Sequence, residues 1–142
     1  MLICGEMPEL DLYATATAEL VVGPNDLASS ISTEGGDEFP AVLATARMVA
    51  LMETAAARVL QPLLGPGELS VGVTVDITHT APTPAGVLVT ANDRYTGREG
   101  KLFVFEISAH DQGGEIGRGS HKRAIVETER LLRAAAKRNG EA

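Results

Sequence analysis

From Ala41 to about Leu60 the chain reads AVLATARMVALMETAAARVL, a stretch crowded with Ala, Leu and Met. These are good helix formers. The stretch stops at Leu64, Gly65, Pro66 and Gly67, which cannot continue a helix. It is the only strong helix before the C-terminal end, and everything around it has a different period. Residues 13–22 alternate weakly and end in Val-Val, which predicts a strand. After the helix, strands are expected near 69–80, 86–96, 101–111 and 115–127, with turns at PTPAG, TGREG and HDQGGE. One sheet wrapped around one central helix is the economical way to bury both apolar faces. The expectation is an α+β fold in a single domain over 1–142, with its core at about 13–127 and a helical tail at 128–142.

Two features of the bulk composition narrow the function. The chain has 142 residues and 44% of them are hydrophobic, enough for a core without disulfides or metal. Its formal charge of −7 argues against a general nucleic-acid binder. Residues 118–142 nonetheless carry seven bases against three acids, which reads either as a solvated helix end or as a basic patch facing an anionic ligand. The single cysteine, Cys4, cannot form an internal disulfide and fits a reducing compartment. There is no apolar run of membrane-spanning length and no signal-peptide pattern at the start. A cytoplasmic protein without a membrane partner is therefore expected. No His/Cys/Asp cluster has zinc-ligand spacing, so no metal is expected.

The chemistry concentrates on the helix and the strand after it. At 100° per residue, Arg47, Thr54, Arg58 and Gln61 form one solvent stripe about 60° wide. Glu53 lies about 120° from that stripe, among Val49, Ala50, Ala56 and Ala57. A carboxylate there should be partly buried, at a cost unless a partner offsets it. Thr45, also off the stripe, lies some 12 Å earlier along the axis. On the strand, alternation puts Val71, Val73, Val75 and Ile77 on the same side as His79, just before a proline-rich turn. Carboxylate, hydroxyl and imidazole are the parts of acid–base or nucleophilic catalysis. Each is also an ordinary core or helix-edge residue, and spacing alone does not bring them together. The polar loop GPNDLASSISTEGGDEFP, 23–40, is long enough for a lid or binding loop. Lys122 and Arg123 must face opposite ways on the last strand, His121 shares the Arg123 face, and His110 ends the strand before it in a structural position.

The stretch EFPAVLATARMVALMETAAARVLQPLLGPGELSVGVTVDITHTAPTPAG, with SAHDQGGEIGRGSHKRAIV further on, resembles the fluoroacetyl-CoA thioesterase family, which has the hot-dog fold. The resemblance runs from about Glu38 to Val126 and rests on F-P-x-V-x-A-T-x-x-M-V-x-L-M-E, then a glycine, then T-H-T-A-x-T-P-x-G. It implies a sheet around one long helix, pairing of two subunits as a homodimer and a possible tetramer, and hydrolysis of a small acyl-CoA near the dimer interface. Coenzyme A would enter only as part of the substrate, with no separate cofactor. By the same resemblance Thr45, Glu53 and His79 are the catalytic set, Gly72 lies near the substrate carbonyl, Phe39 gates the site and Arg123 lies near the substrate. Glu53 would act as base or nucleophile, His79 would orient it and carry the proton, and Thr45 would join the network or attack. The loop SSISTEGGDEF has one aromatic residue, fewer than the family's lid, and this leaves the acyl group open. Two other classes remain at this stage: a non-catalytic acyl-CoA-binding module, and an enoyl-CoA hydratase. The hydratase would need a closely spaced Asp and His on one loop–helix segment, and none is present here.

Overall fold

The computed structural model describes residues 10–140; Cys4 lies outside them. Five strands form one antiparallel sheet: β1 (Thr15–Val21), β2 (Glu68–His79), β3 (Leu88–Glu99), β4 (Leu102–Asp111) and β5 (Gly114–Glu127), in the order β1-β3-β4-β5-β2. The long helix α1 (Thr45–Leu60) lies across one face of it, and α2 (Thr128–Arg138) follows β5. This is the expected outline. The strand bounds fall within two or three residues of those read from the alternation.

α1 holds the sheet because its apolar side is continuous. Met48, Leu51, Met52, Ala55, Ala56, Val59 and Leu60 are all buried. They meet the odd-numbered residues of β3 and β4, including Val89, Ala91, Phe105, Ile107 and Ala109. Each fully buried Met, Leu, Ile, Val or Phe among them contributes roughly 1.5–3 kcal/mol, so this layer dominates the stability of the domain. Arg47, Thr54, Arg58 and Gln61 are exposed, as the helical wheel predicts.

The helix begins four residues later than its composition suggests. Residues 41–44 have other partners: Leu43 N–H donates to the Thr83 carbonyl, Ala44 N–H to the Asp26 carbonyl, and Val42 accepts from Ala28. The 23–40 loop makes two short 3₁₀ turns and is clamped to the helix start. Asp26 accepts from Arg47 Nε at 2.9 Å and from Gly23 N–H at 2.8 Å. These tertiary bonds outweigh helix propensity in the first turn.

β2 departs from simple alternation. Gly72 pairs with Arg123 and Thr74 with Lys122, so Val73 is an extra residue in a β-bulge. The phase of the strand therefore flips. Val75, Ile77 and His79 share the helix-facing side as expected, because they pair with His121, Gly119 and Gly117. Val71 does not, since Ser70 and Gly72 occupy that side below the bulge. The apolar face is also less buried than its sequence suggests: β2 is an edge strand, and Leu69, Val73 and Val75 are 54%, 51% and 39% exposed.

Strand β5 can lie close to β2 because it carries glycine where the two cross. A Cβ on Gly119 would overlap the Asp76 carbonyl oxygen and stand 2.7 Å from Ile77 Cα. Backbone cannot yield as a side-chain tip can. Gly119→Ala should therefore destabilise the fold by about 3 kcal/mol, at the upper end of ordinary overpacking. An unchanged urea midpoint would contradict this packing.

Candidate active site

Two polar clusters lie along α1, each joining the helix to β2. The first is at the helix start. Ala44 is the N-cap residue and supplies no side-chain cap. Thr45 is the first helical residue, and its hydroxyl turns across to the end of β2, where Oγ1 lies 2.9 Å from His79 Nδ1. The other ring nitrogen, Nε2, is buried and has no hydrogen-bond partner among the described residues. Thr45 and His79 border a cleft of about 380 Å³ lined also by Ala28, Pro40, Val42 and Pro82. Phe39, next to Pro40, is 53% exposed. A hydroxyl and an imidazole at this distance have the geometry of a nucleophile and its base.

The second cluster is built around Glu53, two turns further along. Its carboxylate, 39% exposed, accepts from Arg123 Nη1 at 3.2 Å. Arg123 is fixed on every side: Nε donates to Ser70 Oγ at 3.0 Å, Nη2 to the Ser70 carbonyl at 2.9 Å, and Nη1 reaches His121 Nε2 at 3.2 Å. His121 Nδ1 lies 2.8 Å from the Thr74 carbonyl. A carbonyl only accepts, so Nδ1 carries the proton and Nε2 presents a lone pair to Arg123. His121 is therefore a neutral acceptor. Burial holds its pKa below the ordinary histidine value, helped by Arg123 and opposed by the Thr74 hydrogen bond and Glu53. Burial likewise pulls Arg123 below the usual guanidinium value, and Glu53 pushes it back. An arginine stays charged through such a shift.

Gly72 belongs to this cluster for a steric reason. A Cβ there would overlap Glu53 Oε1 and stand 3.2 Å from His121 Cε1. The missing side chain leaves the space in which the carboxylate sits.

The structure thus brings Thr45 to His79, and Glu53 to Arg123 and Gly72, as two groups rather than one. Eight residues of helix separate them, about 12 Å along the axis. Lys122 points the other way, to Glu99 at 2.8 Å. His110 on β4 meets Asn92 on the neighbouring strand β3. A larger concavity of about 580 Å³ lies on the sheet face turned away from α1, but its Arg94 and Arg118 are already paired with Glu106 and Glu115.

Sequence reasoning missed Asp93. It is 1% exposed, and neither carboxylate oxygen has a hydrogen-bond partner among the described residues. The signal was available: Val89, Ala91, Asp93 and Tyr95 share one face of β3, and three of them are core residues.

Known proteins resemble this chain in sequence and fold. The family profile described as "FlK: Fluoroacetyl-CoA-specific thioesterase" matches residues 22–129. A fluoroacetyl-CoA thioesterase from Streptantibioticus cattleyicolor is 41% identical over 117 residues, covering 81% of this chain and 84% of that protein. A solved structure of the fluoroacetyl-CoA thioesterase FlK superposes with a TM-score of 0.86 at 36% identity, covering 95% of this chain and all of the other. A hypothetical protein from Thermus thermophilus, described as a thioesterase superfamily member, superposes with a TM-score of 0.82 at 28% identity, covering 93% of this chain and 97% of that one. With its sheet curled against a single long helix in the hot-dog manner, the chain belongs to the FlK family of fluoroacetyl-CoA-specific thioesterases.

Proposed function

We propose that this protein hydrolyses a small acyl-CoA to the free acid and coenzyme A, with Thr45, Glu53 and His79 as its reacting side chains. The observation that carries this reading is the 2.9 Å contact between Thr45 Oγ1 and His79 Nδ1 beside a cleft, in a chain 41% identical to a fluoroacetyl-CoA thioesterase. Coenzyme A enters as part of the substrate, and the chemistry needs no further cofactor.

A thioester carbonyl needs an attacking oxygen, stabilisation of the charge that develops on its own oxygen, and an exit for the thiolate. Thr45 opens α1. The first N–H groups of a helix have no acceptor within it, and its dipole favours negative charge there. A carbonyl seated over that end would find its oxyanion stabilised. Within one chain Glu53 lies about 12 Å from that end of α1, so in this proposal the two groups meet across the paired β2 strands, where the Glu53 of one subunit takes the proton of an attacking water at the Thr45–His79 end of the other, or attacks directly to give an anhydride that water then cleaves. In the water route the new C–O bond forms as the proton passes to Glu53. The tetrahedral intermediate then expels the CoA thiolate, and the proton held by Glu53 passes by way of His79 to sulfur, leaving both side chains as they began. Arg123 and the Gly72 N–H sit at the acyl end, and Phe39 at the entrance.

The working unit in this proposal is a homodimer paired through β2. In its favour, that edge is twelve residues long and exposes Leu69, Val73 and Val75. An apolar strand edge of this length is a surface that chains cover. Both clusters include residues of β2, Gly72 and His79, so such pairing would put them at the subunit boundary.

Release of free thiol from a panel of acyl-CoAs, acetyl and fluoroacetyl through octanoyl, tests the reaction. Turnover well above the uncatalysed rate for at least one short acyl group is expected. Tight binding of acyl-CoA with no thiol released would instead make the protein an acyl-CoA sensor. Sedimentation of the same sample tests the dimer.

A further inference from the structure

The Arg123 guanidinium is shared among three residues. Nε–H donates to Ser70 Oγ, and Nη2 donates to the Ser70 carbonyl. Nη1, which has two hydrogens, donates to two acceptors, Glu53 Oε1 and His121 Nε2, each at 3.2 Å. It sits between them, since those acceptors are 3.9 Å apart. A carboxylate beside a guanidinium commonly takes two parallel N–H bonds. Glu53 takes one: its Oε2 has no hydrogen-bond partner among the described residues.

His121 is the fixed member of this group. It is fully buried, and its ring centroid lies 6.4 Å from that of Phe105. Nδ1–H donates to the Thr74 carbonyl at 2.8 Å. Thr74 is the residue at which the β2–β5 register resumes after the bulge, where the ladder is locally disrupted. A ring with its proton on Nδ1 has only a lone pair on Nε2, and that lone pair faces Arg123. The acid–base scheme leaves His121 unused, although it is the one buried imidazole beside the carboxylate.

We propose that His121 is a positioning residue that keeps Arg123 from closing on Glu53 as a two-point clamp. It engages Nη1 from the interior while Ser70 engages Nε and Nη2, so the guanidinium meets the carboxylate through Oε1 alone. Oε2 stays open, and it is the oxygen that takes the proton of water or attacks the carbonyl. Without the Nε2 lone pair, a buried Nη1 hydrogen would need another acceptor. The Glu53 carboxylate is beside it. The guanidinium would turn onto both oxygens, and the base would be lost to an ion pair. The role of Oε2 rests on the thioesterase reading; the hold of His121 on Arg123 does not.

Two substitutions separate the two bonds of the imidazole. An Asn amide reaches the place of Nδ1, so His121→Asn can still donate to the Thr74 carbonyl but leaves Nη1 without its second acceptor. A Gln amide reaches the place of Nε2, so His121→Gln can still accept from Nη1 but gives up the Thr74 bond. Each variant loses one hydrogen bond and the ring beside Phe105. Their thermal midpoints should therefore fall by similar amounts. A purely structural histidine would leave the two alike in turnover as well.

Three readouts on the full chain test the inference. Nitrogen-15 NMR of the wild type at neutral pH should show His121 with its proton on Nδ1 and an unprotonated Nε2. Crystal structures of the variants should show Arg123 on both Glu53 oxygens in His121→Asn and on one in His121→Gln. With an acyl-CoA substrate, His121→Asn should lower kcat by roughly 10- to 100-fold, as expected when a reacting group is taken off its line, and change KM far less. His121→Gln should keep kcat within about threefold of wild type, because the line of attack is preserved. A proton on Nε2, a single-point contact retained in His121→Asn, or equal losses of kcat in the two variants would overturn the proposal. If wild type shows no turnover, the thioesterase reading fails, while the tautomer and the two variant structures still decide the hold on Arg123. If the variants do not fold, the wild-type tautomer decides it alone.

Discussion

Glu53→Gln should lower the turnover of a short acyl-CoA by about 10²- to 10⁴-fold, the usual loss when a positioned base or nucleophile is removed. The thermal midpoint should move by no more than a few degrees. Both halves follow from one contact. Glu53 Oε1 accepts from Arg123 Nη1 at 3.2 Å, and the Gln amide oxygen can accept the same bond. Arg123 keeps Ser70 and His121 as its other partners, so no buried donor is orphaned. What disappears is the ability to take a proton or attack a carbonyl. Glu53→Ala would be a poorer experiment, because an unpaired buried guanidinium costs several kcal/mol and would confuse unfolding with lost chemistry. Circular dichroism and thiol release on the same preparation separate the two effects. If Glu53→Gln turns over at the wild-type rate, Glu53 is a structural partner of Arg123, and the reacting groups reduce to Thr45 and His79.

The outline of the fold was legible because the helical stretch at 41–60 is set off cleanly from the alternating segments on either side. The Ala, Leu and Met stretch of α1 and the alternating strands after it admit few other arrangements, and the strand bounds fell close to their expected places. The inward turn of His79 was legible for the same reason. What alternation could not show was the bulge at Val73, because one extra residue leaves no trace in the apolar pattern of VGVTVDI yet reverses every side chain below it. That reversal takes Val71 off the helix side and puts Gly72 and Ser70 there. Partners were the other blind spot. Seventy residues separate Glu53 from Arg123, and nothing local on the helix says which cation will meet the carboxylate. Asp93 was hidden differently: its parity marks it as inward, but a charged residue in the TANDRY stretch reads as solvent-facing until the sheet closes over it. The loop clamp at Asp26 and Arg47 explains the late helix start, and it too is a long-range contact that propensity does not contain.

Gly72→Ala should leave a folded protein with little activity. One methyl group added at this position overlaps Glu53 Oε1 and crowds His121 Cε1 at 3.2 Å. The outcome depends on which neighbour yields. His121 is buried and held by the Thr74 carbonyl and Arg123, so it cannot retreat without breaking those bonds. Glu53 is 39% exposed and meets the methyl only with the end of a flexible side chain, so its carboxylate swings toward solvent. The backbone need not move, because Gly72 has no positive φ that an alanine would strain. The expected stability loss is about 1–2 kcal/mol, from mild overpacking and a weakened ion pair. The expected loss of kcat is on the order of 10²-fold, since a displacement of about 1 Å is enough to take a reacting group off its line of attack. Gly119→Ala is the control: its added methyl meets main chain instead of a side-chain tip, so it should cost stability first and activity only through unfolding. If Gly72→Ala loses stability as severely as Gly119→Ala, the glycine serves the bulge and not the carboxylate. If it remains stable and inactive, the place kept open for Glu53 is the reason β2 carries a glycine there.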